Sequence, residues 1–336
     1  MNIQWYPGHM TKAKRAMKED IRLIDLIIEL VDARAPLASR NPDIDDLGKG
    51  KARLILLNKS DLAEEKWNAA WSGWFQEKGF YVVEVNSRSG GGLKRIGSVV
   101  GEACKEKLER DRRRGILNRP VRAMVVGIPN VGKSTFINSF AGKACTKTGN
   151  KPGVTKGNQW IRLNKTLELL DTPGILWPKF EDQQVGLLLA MIGSINDEIL
   201  NREELAGELL RLMETRYPEA LQERYGIWSE KTLSEKAVSG KALSKEALSK
   251  EAFSREEKPD PVRMLEQVAM VRSCLMKGGE LDLAKAAGIV IDDFRSGKLG
   301  RITLEVPEWK GADEAKSAGA EKVTGKEKTA EKRRQQ

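Results

Sequence analysis

Residues 127 to 134 read Gly-Ile-Pro-Asn-Val-Gly-Lys-Ser. This is the pattern GxxxxGK[ST], in which glycines let successive backbone N–H groups turn inward around a polyphosphate. Lys133 has the reach to meet the β- and γ-phosphates, and the Ser134 hydroxyl can ligate Mg²⁺. Asn130, Val131, Gly132 and Thr135 complete the loop and open a helix whose positive end faces the anion. Downstream, Asp171-Thr-Pro-Gly174 ends an apolar run. The carboxylate is placed to hold the Mg²⁺ shell. Gly174, with no side chain in the way, can bring a backbone N–H up to the γ-phosphate. Alone, such a run is an ordinary turn; at this distance after a phosphate loop it reads as its partner.

A second pair of motifs suits a purine base. Asn58-Lys59-Ser60-Asp61 follows the apolar stretch RLILL. A carboxylate at Asp61 can accept from N1–H and the exocyclic amine of guanine together, a donor pair that adenine lacks. Asn58 and Lys59 would hold the loop and cover the base. Asn86-Ser87-Arg88-Ser89-Gly90 follows FYVVEV and can offer Ser87 and its neighbours to guanine O6. These are the G4 and G5 signatures of a GTPase, and the loops at 127–134 and 171–174 are G1 and G3. Thr155, in KPGVTKG, takes the intervening G2 position, where a switch threonine reaches Mg²⁺ and the γ-phosphate. The chemistry therefore needs GTP and Mg²⁺. The order along the chain is G4, G5, G1, G2, G3, so the domain is circularly permuted.

Each motif sits at the end of an element that could position it. IDLIIELVDAR (24–34), RLILLNKSD (53–61), FYVVEV (80–85) and VRAMVVG (121–127) read as buried strands, and NQWIRL (158–163) with TLELLD (166–171) as a hairpin. Helical spacing places helices at 9–22, at 63–78 with Trp67, Trp71, Trp74 and Phe75 on one stripe, at about 92–110 and after Lys133. The stripe reads as core packing. The expected fold is a Ras-like P-loop α/β domain with a six-stranded, mainly parallel sheet, followed by an all-α domain. The expected divisions are a basic segment at 1–22, the permuted domain at 23–178, a helical domain at 179–305 and a basic, disordered tail at 306–336. The helical part carries a low-complexity insertion at 229–258, built on a period-five repeat, KTLSE to EAFSR. Five is not a helical period, so the repeat cannot build one apolar face and reads as solvated.

The charge is +10 over 336 residues, with a pI near 9.4. That balance fits a polyanionic partner, nucleic acid first among them, or else a solvated lysine surface. Three well-separated cysteines offer neither metal-ligand spacing nor a disulfide framework. No apolar run is long enough to cross a bilayer, and the N-terminus lacks the features of a signal peptide. A cytoplasmic protein without membrane contact is expected.

The permuted order, together with WYPGHM (5–10), DARAP (32–36), GIPNVGKST, DTPGI and DFRSGKLGRITLE (293–305), resembles the ribosome biogenesis GTPase A family of bacteria. The likeness covers residues 1 to about 305. It implies GTP hydrolysis serving late assembly of the large ribosomal subunit, slow alone and stimulated by the particle. It further implies a helical domain on rRNA and the large-subunit precursor, and a monomer away from the ribosome. Two departures from common GTPases matter. Ile175 stands where many have a water-orienting glutamine, and an apolar side chain cannot do that work. The resemblance makes His9, the one histidine, the candidate replacement; the competing reading is a surface or capping histidine. Asn130 matches the asparagine that helps bind K⁺ in cation-dependent GTPases, or else only shapes the loop. Two rival functions stay open: a nucleotide-regulated RNA scaffold with negligible turnover, and a permuted GTPase acting on the small subunit.

Overall fold

The computed structural model describes residues 8–116, 119–146, 158–177, 182–227 and 260–307. Thr155, the repeat insertion and the tail beyond residue 307 lie outside them; of His9 the backbone is described and the side chain is not. The chain forms two compact units, one of residues 197–302 and one of the sheet, running to Asn196 and resuming at Thr303. The sequence divided the chain instead at 178/179 and 305/306.

The sheet unit begins with α1 (Gly8–Asp20), followed by β1 (Leu26–Asp32), α2 (Asp43–Leu47), β2 (Ala52–Asn58), α3 (Glu65–Glu77) and β3 (Tyr81–Val85). Then come α4 (Leu93–Ala103), α5 (Lys105–Arg113), β4 (Val121–Val126), α6 (Lys133–Ala141), β5 (Gln159–Arg162), β6 (Leu167–Asp171) and α7 (Gln183–Met191). The strand order is β3-β2-β1-β4-β6-β5. Five strands run parallel and β5 lies antiparallel to β6, so the expected α/β fold with six strands is the observed one. All seven residues of β1 are buried, which is why its sequence is an apolar run and not an alternation.

The aromatic stripe of α3 is core. Trp67, Trp71 and Phe75 are buried against Val31, Ile55, Leu57 and Val82, with Trp74 packed at the margin. Each such burial is worth roughly 1.5–3 kcal/mol, which anchors α3 behind β2 and β3. The helix expected over 92–110 is two helices broken at Cys104, whose φ of −103° and ψ of 12° leave the helical region. α4 buries Leu93, Ile96 and Val100. α5 buries only Asp111, so it lacks the apolar face that seats α4, and Lys107 ties it to Asp25 at 3.3 Å.

In the other unit, α8 (Arg202–Arg216), α9 (Pro218–Tyr225), α10 (Pro261–Val271) and α11 (Leu283–Ser296) pack on one another. α10 stops at Val271, before Ser273 turns to a φ of 51°. Asn201, Asp260 and Asp282 cap three of the helices through their side chains, each worth about 1 kcal/mol. Among the described residues no helix is long and apolar enough to cross a membrane, and the three cysteines are free.

Candidate nucleotide site

All five parallel strands end on one edge of the sheet, and every motif with described coordinates lies there. The chain steps outward from β1 in both directions, to β2 and β3 on one side and β4 and β6 on the other. The crevice at such a reversal is where open α/β sheets bind ligands. The base loops follow β2 and β3; the phosphate loops follow β4 and β6.

The loops are tied to each other. Asn58 donates from Nδ2 to the Val131 carbonyl at 2.6 Å, and its Oδ1 accepts from Ser87 N and Ser87 Oγ at 3.1 and 2.8 Å. One buried amide thus joins G4, G1 and G5. Gly132 has a φ of 96°, and a Cβ there would stand 2.5 Å from Asn58 Nδ2, so this glycine serves both the turn and the approach of the two loops. Ser60 Oγ donates to the Val85 carbonyl at 3.1 Å. Ser139 Oγ of α6 donates to the Ser87 carbonyl at 2.6 Å. Asn86 receives the N–H groups of Arg88 and Ser89 at 3.0 Å, shaping the G5 turn. Asp61 is exposed, leaving its carboxylate accessible.

On the phosphate side Lys133 opens α6, buried, with its ammonium donating to the Gly127 and Ile128 carbonyls at 2.9 and 3.0 Å. Burial pushes its pKa down to about 8, against the pull of Asp171. Asp171 is 0% exposed. Burial pushes it up to about 6, with Lys133 opposing. Neither Asp171 oxygen makes a hydrogen bond of normal geometry among the described residues; only the neighbouring Thr172 N–H comes close enough to help Lys133 oppose the rise. An unsatisfied buried carboxylate requires an explanation, and a hard cation reached directly or through water supplies one. Ser134 and Thr135 follow in the first turn of α6, half-buried. No group of three or more His, Cys, Asp or Glu among the described residues could cage a metal. Mg²⁺ needs no such cage, since it binds through one or two protein ligands plus phosphates. A Cβ on Gly174 would lie 2.8 Å from Lys133 Nζ and 2.9 Å from Pro129 Cα, so the G3 loop lies directly against G1.

Three features escaped the sequence. Asp32 and Arg34 form a buried ion pair at 2.8 Å beneath Lys59. Asn130, at a φ of 60°, donates its amide to the Gly193 carbonyl at 2.7 Å. Residues 303–305 return to the sheet unit and bond to the loop after β1. DARAP, GIPNVGKST and DFRSGKLGRITLE contain these residues, but none of the motifs says what they bond to. Ile175 is buried, its carbonyl accepting from Asn41 Nδ2 at 3.1 Å, and Leu176 N donates to Met10 Sδ at 3.4 Å. The segment after DTPG is therefore held by α1, next to His9 in the chain.

A sequence family described as "50S ribosome-binding GTPase" matches residues 122–215. The match begins in β4, so both base motifs lie ahead of it. A protein from Bacillus cereus called Ribosome biogenesis GTPase A is 46% identical over 92% of this chain and 95% of its own length. One of the same name from Thermotoga maritima is 31% identical over 91% of this chain and 95% of its own. The chain belongs to the ribosome biogenesis GTPase A family. Among solved structures, GDP-bound TM YlqF aligns with a TM-score of 0.57 at 25% identity, covering 87% of this chain and 99% of that one. GNP-bound YlqF from T. maritima gives 0.55 at 28%, covering 88% and 99%. A GTPase domain of this family binds GTP, typically with Mg²⁺.

Proposed function

We propose that this chain hydrolyses GTP as a switch in late assembly of the large ribosomal subunit, binding the precursor particle through rRNA. The carrying observation is the contact of G1 and G3: a buried Lys133, a buried Asp171 whose oxygens make no hydrogen bond of normal geometry among the described residues, and a Gly174 with no room for a side chain. Lys133 and the N–H groups of the α6 N-terminus would take the β- and γ-phosphates. Ser134, Thr155 and Asp171 would hold Mg²⁺, which neutralises the charge that develops as the γ-phosphoryl leaves for water. Asp61, Ser60, Asn86 and Ser87 would select guanine.

Ile175 is buried and apolar, so water must be oriented by another group or by the particle. Met10 on Leu176 keeps the first turn of α1 beside the G3 loop, which supports His9 for that role. Turnover would then be slow alone and rise on the particle. Asn130 would contribute to a K⁺ site that stabilises transition-state charge. Exposed Lys12, Arg15 and Lys18 on α1, Arg110 and Arg112–Arg114 at α5, and Lys298 with Arg301 suit backbone contacts to rRNA. Arg295 is less available, since both its terminal nitrogens bond Asp197, at 2.7 and 2.8 Å. The protein would act as a cytoplasmic monomer away from the particle.

The test is GTP turnover alone and with large or small precursor particles, in K⁺ and in Na⁺, for the wild type and His9→Ala. Stimulation by the large particle alone is expected, falling by about 10²-fold in His9→Ala with GTP affinity kept. Stimulation by the small particle, or none by either, would contradict the proposal. Equal rates in K⁺ and Na⁺ would remove the K⁺ site, and full stimulation of His9→Ala would return His9 to a surface role.

A further inference from the structure

Asp32 ends β1 at the centre of the sheet, between the strands that carry the base loops and the phosphate loops. Its carboxylate is fully buried. Oδ1 accepts from Arg34 N and Arg34 Nε at 3.1 and 2.9 Å; Oδ2 accepts from Arg34 Nη2 and Lys59 Nζ, both at 2.8 Å. Lys59, in the left-handed conformation with a φ of 58°, also donates to the Asn130 carbonyl of the phosphate loop at 3.0 Å. An uncompensated buried anion is strongly unfavourable, so this carboxylate demands its two cations in place. Lys59 is thereby fixed at the seam between G4 and G1.

The other cation leads elsewhere. The Arg34 carbonyl accepts from Leu304 N at 2.7 Å. The neighbouring Glu305 carboxylate takes the Leu37 and Ala38 N–H groups at 2.7 and 3.0 Å. The Glu305 carbonyl takes Trp71 Nε1 at 3.0 Å, and Thr303 Oγ1 takes Glu64 N at 3.1 Å. Residues 303–305 are thus a strap, stapled to the base side of the sheet unit where the chain resumes after residue 302.

We propose that Asp32 is a positioning residue of the nucleotide site. It holds Lys59 against the Asn130 carbonyl and, through Arg34, makes the Thr303–Glu305 strap a support of that site. Asp32 touches no nucleotide; it acts through Lys59. The proposal rests on the guanine-nucleotide reading of the site. It gives the helical unit a physical line to the nucleotide: whatever pulls on residue 302 pulls on Arg34, and so on the counter-ion of the anion that holds Lys59.

A double-mutant cycle on the full chain decides the matter, with a fluorescent GDP as probe. Lys59→Met and Asp32→Asn are each expected to weaken binding about tenfold, and the double variant no further than Lys59→Met alone. A merely structural Asp32 would add its loss to that of Lys59, giving about a hundredfold, and that additivity would overturn the proposal. Because Asp32→Asn leaves Arg34 buried without its partner, it can fail to fold. Glu305→Ala, at the strap, then carries the test: about threefold weaker binding with Lys59 present and no effect in the Lys59→Met background. An equal loss in both backgrounds, or none in either, would overturn it. Asp61→Asn and Lys133→Ala run alongside. If those two leave binding intact, the nucleotide reading itself fails; if they abolish it while the cycle is additive, only the role of Asp32 fails.

Discussion

At the scale of single residues, the proposed guanine selection rests on one carboxylate. Asp61→Asn is expected to lose about 2–4 kcal/mol of GTP affinity and to favour xanthosine nucleotides, whose 2-oxo group accepts from the new amide. Titration calorimetry with both nucleotides checks this, and unchanged GTP affinity would take Asp61 out of the site. Asp171 sets a pH dependence. Its pKa rises from 3.8 to about 6 in the folded protein, so folding takes up a proton between those values. The fold without nucleotide is favoured at the acid side of that window and loses the contribution as pH rises through about 6. Mg²⁺ needs the ionised form, so Mg²⁺-dependent GTP affinity should fall as pH drops below about 6, by up to about tenfold per unit. GTP itself titrates nearby, so the comparison is with Asp171→Asn, whose Mg²⁺ dependence should be weak and lack the additional fall. Equal slopes in the two proteins would dissociate Asp171 from the metal. That the motif loops meet was legible because the proposed phosphate and guanine chemistry demands fixed types at fixed spacings. Asp32 and Arg34 were not: burying an ion pair leaves no local pattern, and the cation that completes it, Lys59, lies 27 positions on.

At the scale of elements, apolar runs ending in polar residues were enough to place the strands, because a strand buried on both faces has no alternation to misread. The tryptophans of α3 fell to the core for the same reason of spacing. The break at Cys104 was not legible, since KEKLERDRR is a good helical sequence by propensity and only the lack of an apolar face turns it away. The strap was invisible as well. It is three residues with no periodicity, of which Leu304 and Glu305 bond to residues 34–38, more than 260 positions away. The G3 loop gives the test at this scale. Gly174→Ala forces a Cβ to 2.8 Å from Lys133 Nζ and 2.9 Å from Pro129 Cα, closer than atoms tolerate, so one loop must shift. Triphosphate affinity should fall by about tenfold or more while GDP, which has no γ-phosphate to meet Gly174, falls much less. Equal losses for GTP and GDP would place Gly174 away from the γ-phosphate.

For the whole molecule, the permutation moves the join between domains. In the permuted order the chain runs from the G3 loop through buried Ile175 and Leu176 into α7, and only after Asn196 into the helical unit. It returns at Thr303 to the base side. One connection bonds to the G1 loop and the other reaches G4 through Asp32: the Gly193 carbonyl accepts from Asn130, and Leu304 donates to the carbonyl of Arg34, whose side chain shares Asp32 with Lys59. Under the proposed switch, a nucleotide-dependent shift of either loop would reach a covalent tether of the helical unit. The direct measurement is the affinity of the full chain for the large-subunit precursor, with a non-hydrolysable GTP analogue and with GDP, across a salt series. A switch gives tighter binding with the analogue, by about 5–150-fold, with the particle tightening the analogue by the same factor. Contact through rRNA backbone gives affinities that fall steeply with salt in both states. Equal affinities in the two nucleotide states would contradict the switch, and a flat salt response would contradict the rRNA contact.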